Sequence, residues 1–335
     1  MWQMTQLKLL KIIAAGLLIL LGVSANAQQD TQFTQFIFNG LSINPAYAGY
    51  KEDLFVQATY RSQWQGLVGA PKSFSISADG TLTNKNVGLG LVVTNDQIGA
   101  QRYLSAFANY AYRLPLNYDG SQRLAFGIGV GLSQIGIDGT KLQGVQSGDA
   151  LIPTGLQSQR LPDARFGVYY SDDSFFAGIS ATNMLARYFA TNNQTTILAP
   201  VPQPHYFFTA GALIPLDDDF KLKPVVLLKE DTKAPGSLDL STFLLMKERL
   251  WIGLFYRSSV NLFPKSNLQS GLPKENAMGA IVQIFASSKF RIGYSYDYSL
   301  SGLGSYNYGS HELSIGIYLN DRRNDGNRRL RCYDF

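Results

Sequence analysis

Strict alternation of apolar and polar residues runs through almost the whole chain after Leu54 and constrains its fold more than any other feature. Between Arg291 and Ser299, one face carries Ile, Tyr, Tyr and Tyr, and the other carries Arg, Gly, Ser, Asp and Ser. Fourteen segments show this strand period, and no stretch shows a helical period of comparable clarity. Each is long enough for the ~9–11 residues of a tilted membrane strand. The pattern predicts an all-β chain of about 14 strands.

The connections between these strands alternate in length. Short turns follow even-numbered strands, for example at 172–173, 216–219 and 247–248, and the longest loops follow odd-numbered strands at 138–162, 185–203 and 260–275. This asymmetry is typical of an antiparallel outer-membrane β-barrel with short periplasmic turns. An even number of strands then places both termini in the periplasm. A soluble β-sandwich is disfavoured, because the polar face is rich in Gly and Ser and the apolar face is rich in Tyr.

The first 27 residues have the pattern of a signal peptide. Lys8 and Lys11 precede an apolar run over 12–21, and the small-residue site Ala25-Asn26-Ala27 follows. The apolar run is shorter than the ~18 residues that a membrane-spanning helix needs. We therefore expect an exported chain whose mature form begins near Gln28.

Two segments flank the predicted barrel, which covers residues 54–320. Residues 28–53 lack alternation and contain Phe33, Phe36 and Phe38. Because a barrel this wide is not filled by its own strand side chains, we expect residues 28–53 to pack in the lumen or against the periplasmic rim. Residues 321–335 carry five Arg and three Asp and are predicted to be a basic periplasmic tail.

Composition excludes several functions. A single Cys and two His argue against a disulfide scaffold and against a zinc or iron centre. A formal charge of +5 over 335 residues provides no basic stripe for nucleic acid. His311 and Glu312 are adjacent, but neighbours on a strand point to opposite faces, so they cannot act together in catalysis. We expect no enzymatic activity, no cofactor and no metal.

Several short motifs, in order along the chain, resemble the PorP/SprF family of outer-membrane proteins of the type IX secretion and gliding machinery of Bacteroidetes. The opening motifs are Asn44-Pro45-Ala46-Tyr47-Ala48-Gly49, Tyr60-Arg61-Ser62-Gln63-Trp64 and Gly69-Ala70-Pro71-Lys72. Later motifs include Asn95-Asp96-Gln97-Ile98-Gly99, His205-Tyr206-Phe207 and Gly309-Ser310-His311-Glu312. The resemblance covers nearly the whole mature chain.

This resemblance implies a role in secretion and surface anchoring of a cargo protein, such as an adhesin with a type B C-terminal domain. The implied partners are the C-terminal domain of the cargo and periplasmic type IX components, including an OmpA-like peptidoglycan-binding protein. Outer-membrane lipid surrounds the barrel, and no nucleic acid is involved. The alternative reading of the barrel is a general diffusion porin for small solutes.

The candidate structural or partner motif comprises nine residues: Asn44, Pro45, Ala46, Gly49, Arg61, Gln63, Trp64, Pro71 and Lys72. A structural role is favoured over direct partner contact. Asn-Pro forces an extended residue before the proline, and Gly49 permits a turn. Trp64 is expected at the outer rim of the first strand, where aromatic side chains meet the membrane interface.

Overall fold

The computed structural model describes residues 31–82, 85–142, 152–192, 200–232, 234–263, 265 and 274–319. The predicted signal peptide and basic tail lie outside these residues. No helix among the described residues is long and apolar enough to cross a membrane.

A closed antiparallel β-barrel forms the body of the protein. Its strands are β1 (Phe55–Ser62), β2 (Lys72–Thr81), β3 (Val87–Ile98), β4 (Gln101–Pro115), β5 (Arg123–Asp138), β6 (Leu156–Ser171), β7 (Phe175–Thr182), β8 (His205–Ala212), β9 (Ile214–Pro215), β10 (Phe220–Asp231), β11 (Gly236–Met246), β12 (Leu250–Val260), β13 (Glu275–Phe285), β14 (Phe290–Ser299) and β15 (Ser310–Tyr318). Strand β9 continues β8 past Leu213, so these segments form fourteen staves. Pairing of Phe55 with both Asp79 and Tyr318 closes the ring. The predicted fold class is confirmed.

The two faces of each stave have opposite chemistry. On β4, Leu104, Tyr110 and Tyr112 point outwards and are exposed, whereas Asn109 and Arg113 point inwards and are buried. Side chains on an outer-membrane barrel face lipid on one side and the lumen on the other. The alternation that is visible in the sequence is therefore the division between lipid and lumen.

The barrel has a short-turn end, with connections such as 116–122, 172–174, 247–249 and 286–289, and a long-loop end. The loop predicted at 138–162 is shorter than expected, because β6 begins at Leu156 and pairs with β5 along its whole length. A short 3₁₀ turn (Gly139–Lys141) follows β5, the helix α1 (Ala186–Asn192) lies between β7 and β8, and a 3₁₀ helix (Gly302–Tyr306) lies between β14 and β15.

Residues 31–53, here called the plug, lie inside the lumen. The plug contains three 3₁₀ helices, Phe36–Phe38, Gly40–Ser42 and Pro45–Tyr47. Their apolar side chains form one buried cluster with inward residues of the wall, including Phe107, Phe243 and Trp251. The core of this membrane protein therefore lies between the plug and the wall.

Candidate functional site

Asn44 joins the plug to the wall. Its backbone is extended (φ −139°, ψ 116°), as the following Pro45 requires, and its side-chain Oδ1 accepts a hydrogen bond from Ala46 N at 2.9 Å. The side-chain Nδ2 donates to the backbone carbonyls of Val168 (3.2 Å) and Ile179 (3.1 Å) on β6 and β7. One amide therefore caps the third 3₁₀ helix and also attaches it to two staves.

Glycines of the wall let the plug backbone approach closely. A Cβ added to Gly127 would overlap the backbone of Ala46, and one added to Gly88 would overlap the carbonyl of Ala48. These clashes involve backbone atoms, which cannot move away by changing rotamer. The plug motif and the wall glycines are therefore complementary surfaces.

Gly49 ends the plug motif in a conformation that favours glycine. Its φ is +73°, and its N–H donates to Asp79 Oδ2 of β2 at 2.9 Å. This turn directs the chain towards Phe55 and the first strand. The predicted turn at Gly49 therefore also carries a contact with the wall.

Aromatic rings fill the space between the plug and the staves. Tyr47 and Tyr50 stack with ring centroids 4.6 Å apart, and Tyr169 of β6 meets their rings edge-on at 5.6 and 5.3 Å. Phe38 meets Phe243 of β11 edge-on at 5.4 Å. Such pairs each contribute ~0.5–1.5 kcal/mol beyond the area they bury.

A buried ionic network holds the start of the plug near the long-loop end, and we call it the upper tether. Glu312 accepts hydrogen bonds from the backbone N–H groups of Thr34 (2.8 Å) and Gln35 (2.9 Å). Arg61 lies between the two carboxylates, 2.6 Å from Asp297 and 3.0 Å from Glu312. Thr34 Oγ1 donates to Asp297 Oδ2 at 2.7 Å. Because both carboxylates are paired with a cation and hydrogen-bonded, their charge is compensated despite burial.

A second ionic cluster holds the end of the plug at the short-turn end, and we call it the lower tether. Glu52 lies 2.8 Å from Lys85, 3.7 Å from Arg123 and 3.8 Å from Arg113. Burial acts to raise the pKa of the Glu52 carboxyl, but the hydrogen bond from Lys85 and the charges of the three basic groups outweigh it. The pKa of Glu52 is therefore held below its usual value.

Above the upper tether, at the long-loop end, the lumen widens into a cavity of about 510 Å³, which we call the vestibule. Four of the nine candidate residues line it: Arg61, Gln63, Trp64 and Pro71. Pro71 and Gln63 are also joined, since Gln63 N donates to the Pro71 carbonyl at 2.9 Å. Trp64 has a positive φ of +45° and is one of the residues that line the vestibule, and its expected place in the interfacial aromatic belt stays a prediction.

The nine candidate residues therefore fall into separate places. Asn44, Pro45, Ala46 and Gly49 dock the plug, four others line the vestibule, and Lys72 lies exposed at the long-loop end of β2. The nine residues therefore do not form one site.

Other residues of the site could not be found from the sequence. Thr34 and Glu52 lie in the segment without alternation, where no period indicates what they face. Glu312 is the exception, because strand parity in the sequence puts it on the polar face with Ser314, opposite Leu313 and Ile315. In the structure its neighbour His311 lies on the outer face within 2.6 Å of the Tyr294 hydroxyl. His205 faces inwards, where its Nε2 lies 2.6 Å from Asp231.

One family model and several solved structures match this chain. A family model described as type IX secretion system membrane protein PorP/SprF matches residues 25–317. Among solved structures, the outer membrane protein Omp33 of Acinetobacter baumannii aligns with 80% of this chain and 98% of its own, at 9% identity and a TM-score of 0.46. A TodX mutant, a monoaromatic hydrocarbon channel, aligns with 85% of this chain and 93% of its own, at 9% identity and a TM-score of 0.45. No curated protein matches.

Proposed function

The chain belongs to the PorP/SprF family of type IX secretion system membrane proteins, and on this premise we propose that it supports secretion and surface anchoring of a cargo protein. In this proposal the long-loop end faces outwards and receives the C-terminal domain of the cargo, an adhesin with a type B domain. The short-turn end contacts periplasmic components, including an OmpA-like peptidoglycan-binding protein.

The observation that carries the proposal is the filled lumen. The plug packs against the wall through a continuous apolar cluster and is held at both ends by the two tethers. Because the plug fills the middle of the lumen, the vestibule is a cavity with the plug at its base. Such a cavity is better suited to binding a ligand than to conducting solutes.

The alternative function, a general diffusion porin, requires a continuous water-filled lumen. Among the described residues, aromatic and aliphatic side chains of the plug such as Phe38, Leu41 and Tyr47 lie in the lumen and are buried. This packing disfavours the porin.

Strand β15 ends at Tyr318 at the short-turn end, and the basic tail that follows it in the sequence is proposed to be periplasmic. Thr31, the first described residue, lines the vestibule at the long-loop end. The expectation that both termini are periplasmic concerns residues outside the described part of the chain and stays a prediction.

The test is affinity purification of the C-terminally tagged protein from detergent-solubilised outer membranes, followed by mass spectrometry. An unrelated outer-membrane barrel with the same tag is the control. Specific recovery of a large secreted protein, held through its C-terminal domain, supports the proposal. Recovery of the barrel alone, together with stable open conductance in planar bilayers, would overturn it in favour of the porin.

A further inference from the structure

The Lys and Arg side chains of the barrel strands are divided unevenly between the two faces. Strand parity directs nine of them towards the lumen: Arg61, Arg113, Arg123, Arg165, Lys221, Lys223, Lys229, Arg257 and Arg291. In the described strands three others point outwards and are exposed: Lys72 of β2, Arg102 of β4 and Arg160 of β6. All three lie at the long-loop end, on alternate staves of one side of the barrel. We call these three residues the basic rim.

The basic rim lies at the border of the lipid-facing apolar band. Two positions further along each of the three strands, the outward-facing residues are Phe74, Leu104 and Pro162. On β4 every outward-facing residue from Leu104 to Leu114 is apolar or aromatic. This stretch covers about 34 Å along the strand, which a tilt of ~35–45° reduces to a height of about 24–28 Å. Because the apolar band of an outer-membrane barrel is about 25 Å tall, the rim lies at the level of the lipid headgroups.

The cations of the rim have donors to spare. Lys72 forms no ion pair and no side-chain hydrogen bond with any described residue. Arg160 Nε donates to Gln134 Oε1 at 3.3 Å, and its two Nη groups have no acceptor among the described residues. Arg102 pairs with Asp138 at 3.2 Å but keeps 44% of its side-chain surface exposed. Exposed ion pairs of this kind are weak, so Arg102 can also bind a second anion.

The residues of the rim are close enough to share one headgroup. Lys72 and Arg102 are both register partners of Gln97 on β3. Their backbones are therefore two stave spacings apart, about 10 Å. Arg102 and Arg160 are likewise separated by the single stave β5. Long cationic side chains reach several ångströms along the surface, so one ligand with two phosphates can contact neighbouring cations.

The opposite side of the barrel has a different border. Over their described residues, β1 and β11–β15 carry no outward-facing Lys or Arg. At the long-loop ends of these strands, uncharged side chains such as Ser62, Ser258 and Tyr298 face outwards. Contact with lipid headgroups in general would not require this asymmetry. The one-sided positive charge therefore indicates a particular anionic ligand at β2–β6.

We infer that the basic rim binds the phosphate groups of lipid A, the phosphorylated glycolipid of the outer leaflet. The acyl chains lie on the apolar band beside Phe74 and Leu104, and the phosphates meet the rim. Arg forks bind phosphate oxygens in pairs, and the ammonium of Lys72 adds a point charge. The inference goes beyond the proposed function and takes from it only the orientation, with the long-loop end outwards.

The test uses the purified full-length protein, immobilised in a neutral detergent through a C-terminal tag, and measures retention of radiolabelled lipids from mixed micelles. Diphosphoryl lipid A should bind at least tenfold more tightly than phosphatidylglycerol, with an affinity that falls as salt rises. Equal binding of the two lipids, or tighter binding of phosphatidylglycerol, would overturn the inference. Millimolar inorganic phosphate should compete no better than NaCl of the same ionic strength; full displacement by phosphate would identify a site for the free anion and reject the lipid.

Two triple variants remove the same charge at opposite ends of the barrel. The rim variant combines Lys72→Gln, Arg102→Gln and Arg160→Gln and should weaken lipid A binding at least tenfold. The control combines Lys247→Gln, Arg249→Gln and Lys289→Gln in turns of the short-turn end and should change it less than threefold. Equal losses in both variants would show that net charge alone matters and would refute the site.

Lys72→Gln alone keeps the inference falsifiable if the rim variant fails to fold, because Lys72 has no partner to lose among the described residues. It should weaken lipid A binding at least threefold, and an unchanged affinity would remove Lys72 from the site. The two proposals can fail separately. Cargo recovery without preference for lipid A would reject only the lipid site, whereas lipid A binding without cargo recovery would reject only the secretion role.

Discussion

Replacing Gly127 with Ala perturbs the contact between plug and wall with the smallest available change. The added methyl would overlap the backbone of Ala46, and its nearest atoms are the Ala46 nitrogen and Cα, which cannot rotate away. Overpacking of this kind costs ~1–3 kcal/mol. Removing a glycine from a strand interior returns ~0.5–1 kcal/mol. We therefore expect the free energy that stabilises the docked plug to fall by about 0.5–2 kcal/mol in the Gly127→Ala protein.

Two measurements would detect this loss. Unfolding by urea in detergent should show a lower midpoint for Gly127→Ala than for the wild-type protein. Since ~1.4 kcal/mol is a tenfold change in an equilibrium constant, docking of the plug should weaken by about 2- to 30-fold. Planar bilayers should then show more frequent open-channel events.

Gly155→Ala is the matched control, because nothing lies within 4 Å of the Cβ position at Gly155. Gly302→Ala, in the 3₁₀ helix between β14 and β15, is a second control, because nothing lies within 4 Å of the Cβ position at Gly302 either. If Gly127→Ala has the same stability and conductance as both controls, the argument that wall glycines allow close approach of the plug backbone is refuted.

Three further predictions concern the tethers and the orientation of the chain. Glu312→Gln removes a buried carboxylate that pairs with Arg61 and accepts hydrogen bonds from two N–H groups of the plug. The free energy of unfolding should therefore fall by about 3–5 kcal/mol. The control Glu275→Gln, at an exposed strand end, should change it by less than about 0.5 kcal/mol. Similar small effects in both would contradict the upper tether. Because folding lowers the pKa of Glu52, its ionised form stabilises the fold above its usual pKa of 4.5, and this stabilisation is lost as the pH falls through the lower folded value. Glu52→Gln should therefore have a lower Tm than the wild type at neutral pH, and its Tm should fall less than that of the wild type as the pH is lowered. If the Tm of both proteins falls equally with pH, the stabilising role of ionised Glu52 is refuted. The orientation can be tested with single cysteines in a cysteine-free background. Gln32→Cys in the vestibule should react with a membrane-impermeant maleimide added to intact cells, whereas Lys289→Cys at the short-turn end should react only after lysis. The opposite pattern would show that the proposed orientation is reversed.

Assignment of side chains to lipid or lumen could be made from the sequence, residue by residue. Arg61, Asp239 and Asp297 occupy the polar face of their strands by parity, and they are buried in the lumen. Parity works because a strand alternates its side chains strictly between two faces and because lipid accepts only one kind of chemistry. Parity does not show which of these charges form ion pairs, because the register between two staves cannot be read from the sequence of either strand alone.

The path of the plug could not be predicted beyond its general location. Its backbone makes 3₁₀ turns without a period, so the sequence of residues 31–53 does not indicate that Thr34 meets Glu312 or that Asn44 meets β6 and β7. Trp64 is a related case. It lies two positions after Ser62, the last residue of β1, where strand parity no longer applies and its φ is +45°.

The sequence by itself determined that this chain is an antiparallel barrel of fourteen staves, which end lies at the short turns and which family it belongs to. The barrel and its two ends follow from local alternation and turn length, which depend on neighbouring residues only, whereas the family follows from short motifs in their order along the chain. The tertiary structure alone decided how the plug packs against the wall and where the vestibule lies. Both depend on contacts such as Thr34 with Glu312, 278 positions apart, which arise only when the closed ring brings distant segments around the plug.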